Sequence, residues 1–314
     1  MKVTIVGAAG AIGITSYHSL LAAGHTLRVV GRSADKLRGF AEAEQVAADV
    51  ATAEGCTKAV AGMDAVVYTL GLPYTKAAFA RYPAMLTTCL TAARQAGVKL
   101  FVLITNVYPY GIPETPLVAE SHPRKPVSVK GEYRKQQEDV LLAADDASGM
   151  RTLSLRLPNF YGPDALLSVG DGIFKAAISG KTADVMAPID TPQELVFTPD
   201  VGPVVAALLA RPEAFGQAYN LAGPSHTTTR RFAEDIYRAA GQPKAKLRAA
   251  GRRMLGVLGI FSELLRELKE TLHLWEHPVL LDDTKLRALL PELKKTSYED
   301  GIRQTLAAYR ARGG

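Results

Sequence analysis

Two cations four residues apart, Lys130 and Arg134, pose the first chemical question of this chain. They lie in VSVKGEYRKQQEDVLL (Val127–Leu142), a stretch whose charge spacing and apolar close at Val140, Leu141 and Leu142 predict an amphipathic helix. On a helix they share a face, where like charges repel, and Glu138, one turn on, is spaced to pair with Arg134. An arginine stays charged and suits ribose and phosphate contacts. A lysine beside it, desolvated and crowded by positive charge, gives up its proton more readily and can serve as a general acid. Held as clamps or left on a solvated face, the same two residues do no chemistry.

Gly7, Gly10 and Gly13 follow the strand-like KVTIV and open a helix-like run, AIGITSYHSLLAAG. In that setting a GxxGxxG spacing gives a tight turn and lets backbone N–H groups approach a pyrophosphate at the positive end of a helix. At the end of the second strand, where a carboxylate would hold a ribose 2′-hydroxyl, the chain has Gly31, Arg32 and Ser33. An arginine fork with a neighbouring hydroxyl suits a 2′-phosphate, so the sequence predicts NADP(H) in preference to NAD(H). Asp49 and Val50 end the third strand, placed to meet the adenine, and Asp49 could equally cap the next helix.

The elements that must carry these residues alternate strand and helix from Lys2 through the strand KLFVLIT, with RTLSLRLP (Arg151–Pro158) and QAYNLAG (Gln217–Gly223) as further strands. Crossover helices of this length favour a parallel sheet covered on both faces, so the expected fold class is α/β, a doubly wound Rossmann sheet with a smaller C-terminal α/β substrate lobe. The expected division is 1–157 for cofactor and 158–314 mainly for substrate, with segments near 195–222 returning to the sheet. A loop from Pro109 to Pro126 carries five prolines and His122, and long irregular loops are often functional. Helices are also expected over 172–179, 227–241 and 255–274.

Composition excludes several alternatives. With 47% hydrophobic and 22% charged residues and no apolar run long enough to span a bilayer, the chain reads as a cytoplasmic globular protein with no membrane partner. The net charge is +6, but the cations are dispersed, and KAKLRAAGRR lacks interleaved aromatics, which argues against a nucleic-acid partner. Cys56 and Cys89 alone make neither a disulfide framework nor a zinc site, and Cys89, in the helix-like LTTCLTAARQAG, reads as a buried free thiol. In HLWEH (His273–His277) the acid is misplaced for a zinc helix, so no metal is expected.

Taken together, GAAGAIG, Asp49, YTLG (Tyr68–Gly71), FVLITNVYPYG, LRLPNFYGP, FTPDV and YNLAGP resemble the extended form of the short-chain dehydrogenase/reductase superfamily, the NAD-dependent epimerase/dehydratase-like family. The resemblance covers nearly the whole chain. It implies cofactor contacts from Ala9, Ala11, Ile12, Thr69, Leu70 and Gly71 beside the three glycines, and places Pro158, Asn159 and Tyr161 beside the nicotinamide and substrate. That family carries a Tyr-x-x-x-Lys pair on the helix after the fifth strand; here Lys130 stands at the tyrosine position and Arg134 at the lysine position, so the pair is absent, as in atypical members. Tyr133 does not replace it, because a shift of three residues leaves the face. Thr105, Asn106 and Tyr108 become the candidates for hydrogen bonds to a developing alkoxide. The expected activity is reduction of a carbonyl or activated double bond of a small, fairly apolar substrate. A non-catalytic NADP(H) sensor and a sugar-nucleotide epimerase or dehydratase are the alternatives, and a homodimer is compatible with the family.

Overall fold

Val3, Thr4, Ile5 and Val6, all buried, cover the first strand on both faces, as a strand inside a two-sided sheet requires. The computed structural model describes residues 1–166 and 168–313. In it, β1 (Lys2–Val6), β2 (Thr26–Gly31), β3 (Glu44–Ala47), β4 (Ala65–Tyr68), β5 (Leu100–Asn106) and β6 (Arg151–Leu157) run parallel. They are linked by α1 (Ala11–Ala22), α2 (Ala53–Val60), α3 (Lys76–Phe79), α4 (Tyr82–Gln95) and α5 (Val129–Ala143). Val3 and Ile5 pack on one face of the sheet with Ile12, Tyr17 and Leu20 of α1; Val6, Val66 and Phe101 pack on the other with Leu86 and Cys89 of α4. Each such buried Val, Ile or Leu contributes roughly 1.5–3 kcal/mol against exposure.

After β6 the chain builds the smaller lobe from β7 (Asn159–Tyr161), α6 (Asp171–Ile178), β8 (Ala183–Met186), β9 (Pro192–Gln193) and β10 (Leu195–Phe197). It then recrosses the sheet through α7 (Thr198–Leu209) and β11 (Gln217–Asn220), which pairs in parallel with β6. The seven-stranded order is β11-β6-β5-β4-β1-β2-β3, so the direction of winding reverses between β1 and β4. That switch point is where open α/β sheets receive ligands. Gly202 makes the return possible: a Cβ there would lie 2.2 Å from the carbonyl oxygen of Thr15, so only glycine lets α7 cross α1 this closely.

The remaining elements are β12 (Thr227–Thr228), α8 (Thr229–Ala239), β13 (Leu247–Ala250), α9 (Arg252–Leu258), α10 (Glu263–Glu270), α11 (His273–Glu276), α12 (Thr284–Leu289) and α13 (Tyr298–Ala311). The lobe's core is aromatic, with Phe174, Phe197 and Phe232 gathered around Tyr161. The single helix expected over 255–274 is three short ones. Gly259 closes α9, and the Ser262 hydroxyl starts α10 by accepting from the amide of Leu265. Among the described residues no helix is long and apolar enough to cross a membrane.

Candidate active site

The glycine turn between β1 and α1 is built by sterics that differ at each glycine. Gly7 has φ +87°, and a Cβ on it would meet the Leu70 backbone at 2.9 Å. A Cβ on Gly13 would fall 2.5 Å from the Gly7 oxygen, inside the turn. At Gly10 the nearest atom would be 3.4 Å away, so this residue faces open space. Gly10 caps α1 without a side-chain bond, and the first turn carries no acidic residue, which leaves its amides for an anionic ligand. Thr69 fastens the turn to the end of β4 by donating to the carbonyls of Val6 (3.0 Å) and Gly7 (3.2 Å). Ala9 is exposed and Ala11 half-buried, while the Ile12 side chain is in the core, so its backbone alone can meet a ligand.

Beside this turn a cleft of about 440 Å³ opens, lined by Gly7, Arg32, Asp49, Val50, Leu70 and Gly71 among others. Thus the ends of β1, β2, β3 and β4 converge as the sequence requires. The Asp49 carboxylate accepts from the Ala51 amide at 3.0 Å, forming a turn before α2; Thr52, not Asp49, caps that helix. Ser33 starts a short 3₁₀ turn, with no side-chain bond to cap it. Arg81 also lines the cleft and carries a second cation into it; nothing in the local sequence marks that residue.

At the opposite end, Ser128 caps α5 by accepting from the Gly131 amide at 3.1 Å and so sets the helix phase. Lys130 and Arg134 do share a buried face. Arg134 donates to the Thr105 hydroxyl at 3.0 Å and to Gln137 Oε1 at 2.7 Å, and lies 4.5 Å from the Tyr82 ring centroid. It does not pair with Glu138, which instead holds Arg156 and Arg124, cations brought by β6 and the proline-rich loop. Two donors beside this cluster, Arg134 Nε and Gln137 Nε2, are buried without a partner. Such groups are costly unless a ligand or water satisfies them.

The Lys130 ammonium is fully buried and reaches across to α10, where Glu267 and Glu270 hold it. It also sits 4.8 Å from the Tyr74 ring centroid. The Tyr74 hydroxyl is 2.7 Å from Thr271 Oγ1 and 3.2 Å from the Tyr108 hydroxyl, forming a short chain of hydroxyls. Burial raises the Tyr108 phenol well above its ordinary range, and proximity to Tyr74 adds to this. Asn106 turns back on the chain, accepting from the Tyr108 amide at 3.2 Å. Tyr110 is structural, bonded to Asn220 and Arg156. His122 accepts from the Glu114 amide within its own loop.

In the segment after β6, Asn159 lines a second, small cavity with Val169, Ile173, Leu195, Phe232 and Trp275, plus the polar Gln193 and Thr229. Pro158 is buried ahead of it. Tyr161 lies in the aromatic core with no exposed surface, so the structure does not bring it to either cavity. Tyr74, Gln137, Glu267 and Glu270 join the site although the sequence reading passed over them. Tyr74 follows the end of β4, a position that could have raised it; the two glutamates lie some 137 to 140 residues from Lys130.

The sequence profile of a family described as NAD(P)H-binding matches residues 7–148. Among curated relatives, the UDP-glucose 4-epimerase of Lactobacillus helveticus is 28% identical over 204 residues, 57% of this chain and 61% of that protein, so the match spans about three fifths of the epimerase. The 3 beta-hydroxysteroid dehydrogenase/Delta 5→4-isomerase of Mycobacterium tuberculosis is 24% identical over 268 residues, 80% of this chain and 72% of that protein. The fold matches the dTDP-glucose 4,6-dehydratase of Streptomyces venezuelae, solved with NAD and TYD bound, at a TM-score of 0.84 and 20% identity, covering 100% and 98% of the two chains.

Further structures of this fold likewise hold NAD, and this corrects the expected preference for NADP(H) over NAD(H). The physical reason lies in Arg32. It is exposed at the rim of a cleft with apolar walls, and a planar guanidinium there can stack on an adenine as readily as it pairs a phosphate. Residues 7–148 thus match an NAD(P)H-binding family, and over its whole length the chain has the fold of these NAD-holding structures.

Proposed function

We propose that this protein is an NAD-dependent enzyme of the epimerase/dehydratase type, acting at a carbinol or ketone carbon of a sugar nucleotide. The observation that carries the reading is the glycine turn with its uncapped helix end, opening on the cleft at the β1/β4 switch point. The residues fit the cofactor: Gly10 leaves room where a pyrophosphate approaches, and the unpartnered Arg134 Nε and Gln137 Nε2 are donors for ribose hydroxyls. When bound, the nicotinamide supplies a hydride acceptor or donor. Gly7, Gly10, Gly13, Arg32, Asp49, Val50 and the Thr69–Gly71 segment hold the adenosine half, with Asn159 on the substrate side.

The missing Tyr-x-x-x-Lys pair is replaced by residues from separate elements. Tyr108, from the turn after β5, supplies the hydroxyl that gives or takes the proton, and its raised phenol keeps that proton at neutral pH. Tyr74 and Thr271 extend the hydroxyl chain along which the proton can be replenished. The Lys130 ammonium beside Tyr74 stabilises negative charge as the proton leaves. Arg134 takes the ribose-holding role and fixes Thr105, the second donor to the substrate oxygen.

A second reading, oxidation or reduction of an apolar carbinol or ketone, has its own support. The cavity beside Asn159 is walled mainly by apolar side chains and has no cation for a pyrophosphate in its lining. The steroid dehydrogenase likeness, over most of the chain, points the same way. Calorimetric NAD titration, followed by product analysis with UDP- and dTDP-sugars and with hydroxysteroids and simple ketones, separates the two. In the responding reaction Tyr108→Phe should lower turnover at least 100-fold with NAD affinity kept. Turnover within threefold of wild type would move the proton elsewhere. Tight NAD binding with no product from either class would leave a non-catalytic sensor.

A further inference from the structure

Among the described residues Lys130 is the largest charged side chain with no exposed surface, and the acceptors of its ammonium come from α10. Its ammonium donates to a Glu267 carboxylate oxygen, to Glu270 Oε2 at 2.7 Å and to the Glu267 carbonyl at 3.1 Å, so its donors are used up by one helix. The carboxylates are used up as well. Glu267 Oε1 accepts from the Lys76 amide and Glu270 Oε1 from the Lys130 amide, each at 3.2 Å. Glu267 and Glu270 stand three apart, on one face of α10, and their side chains are only 11% exposed. Burial opposes ionisation of Glu267, yet the Lys130 ammonium and the Lys76 amide hold its carboxyl below the usual range.

A buried network this completely satisfied fixes its members in one geometry, and losing either side leaves uncompensated charge. The hairpin that carries it otherwise turns outward: Val257, Ile260, Phe261 and Leu264 are exposed, Phe261 by 85%. Leu255 reaches the core and Arg252 pairs with Glu276 at the surface, but with these four apolar side chains in solvent the hairpin is a segment that opens locally.

We propose that Glu267 and Glu270 are positioning residues of the reaction site: they hold the Lys130 ammonium beside the Tyr74–Tyr108 hydroxyls and so latch the α9–α10 hairpin over it. The inference rests on the role given to Tyr108 and Lys130 above. With the hairpin lifted, Lys130 has no acceptor from α10, and the charge that supports the hydroxyl chain is no longer fixed. Closure and correct placement of the cation are therefore one event.

The test is made without substrate. Acylation of the Lys130 amine by acetic anhydride, read by peptide mass spectrometry, is compared in wild type and Glu267→Gln/Glu270→Gln, and amide exchange over 252–270 in these two and in Lys130→Arg and Lys130→Met. In the double variant Lys130 should be acylated at least tenfold faster and the 252–270 amides should exchange at least tenfold faster, with β1–β5 unchanged. Lys130→Arg should keep the protection that Lys130→Met loses. Wild-type acylation and exchange in the double variant would overturn the proposal. So would equal loss in the arginine and methionine variants, because packing alone would then explain it. NAD titration of the same samples is independent: no binding with a responsive latch sinks the functional reading alone, and binding with an unresponsive latch sinks the latch alone.

Discussion

Gly10 and Gly13 are both glycine, but a methyl group would meet different surroundings at each. Gly13→Ala drives a Cβ into the turn backbone at 2.5 Å, so it should destabilise the fold by ~1–3 kcal/mol and abolish NAD binding. Gly10→Ala has only the 3.4 Å contact, so its melting temperature should stay near wild type while NAD affinity falls at least tenfold. Calorimetry with thermal melts on the two variants checks the contrast; equal melting losses would refute it. Arg32→Ala should weaken NAD by ~0.5–1 kcal/mol, the value of an exposed guanidinium–ring contact. The glycine turn was legible because Gly7 and Gly13 are forced by the backbone next to them and Gly10 falls in the same short spacing. The roles of Arg32 and Tyr161 were not, since whether a side chain stacks, pairs or packs depends on neighbours supplied by other elements.

At the scale of elements, α5 shows how local chemistry sets a site. Ser128→Ala removes the cap that phases Lys130 and Arg134, and should cost about 1 kcal/mol in denaturant unfolding. Next to β10 the buried Glu194 accepts from the Leu281 amide at 2.7 Å, and desolvation pushes its carboxyl up to about 8 despite that bond. A raised acid binds its proton more tightly folded than unfolded, so stability should fall as pH rises from about 4.5 to about 8. Glu194→Gln should flatten that part of the stability profile by a few kcal/mol. A profile as steep in the variant as in wild type would count against it. The strands of the seven-stranded sheet and the α1, α5 and α8 helices could be read from periodicity and turn residues; the short strands β7–β10, β12 and β13 of the smaller lobe could not. The break at Gly259 and Ser262 was harder to see, because LGIFSELL continues an apolar pattern through it.

Across the whole molecule, α7 and β11 tie the smaller lobe to the sheet, and their close approach to α1 depends on one residue. Gly202→Ala should cost at least ~1–3 kcal/mol in urea unfolding, because the added methyl would sit 2.2 Å from a carbonyl that cannot move without shifting α1. The dispersed positive charge seen in the sequence is also resolved at this scale: Arg248 pairs with Asp184 and Arg252 with Glu276, both on the surface. By itself the sequence determined the parallel doubly wound sheet, the glycine turn and its place at a strand end, and the presence of two cations on one helix face. These follow from backbone sterics and short-range spacing, which act within a few residues. Tertiary structure alone decided what those cations do. Arg134 turned to Thr105 and away from Glu138, and Lys130 met two glutamates from a helix more than 130 residues away. Buried charges are assigned by whichever partner the fold delivers into the same low-dielectric space, and no local pattern carries that information.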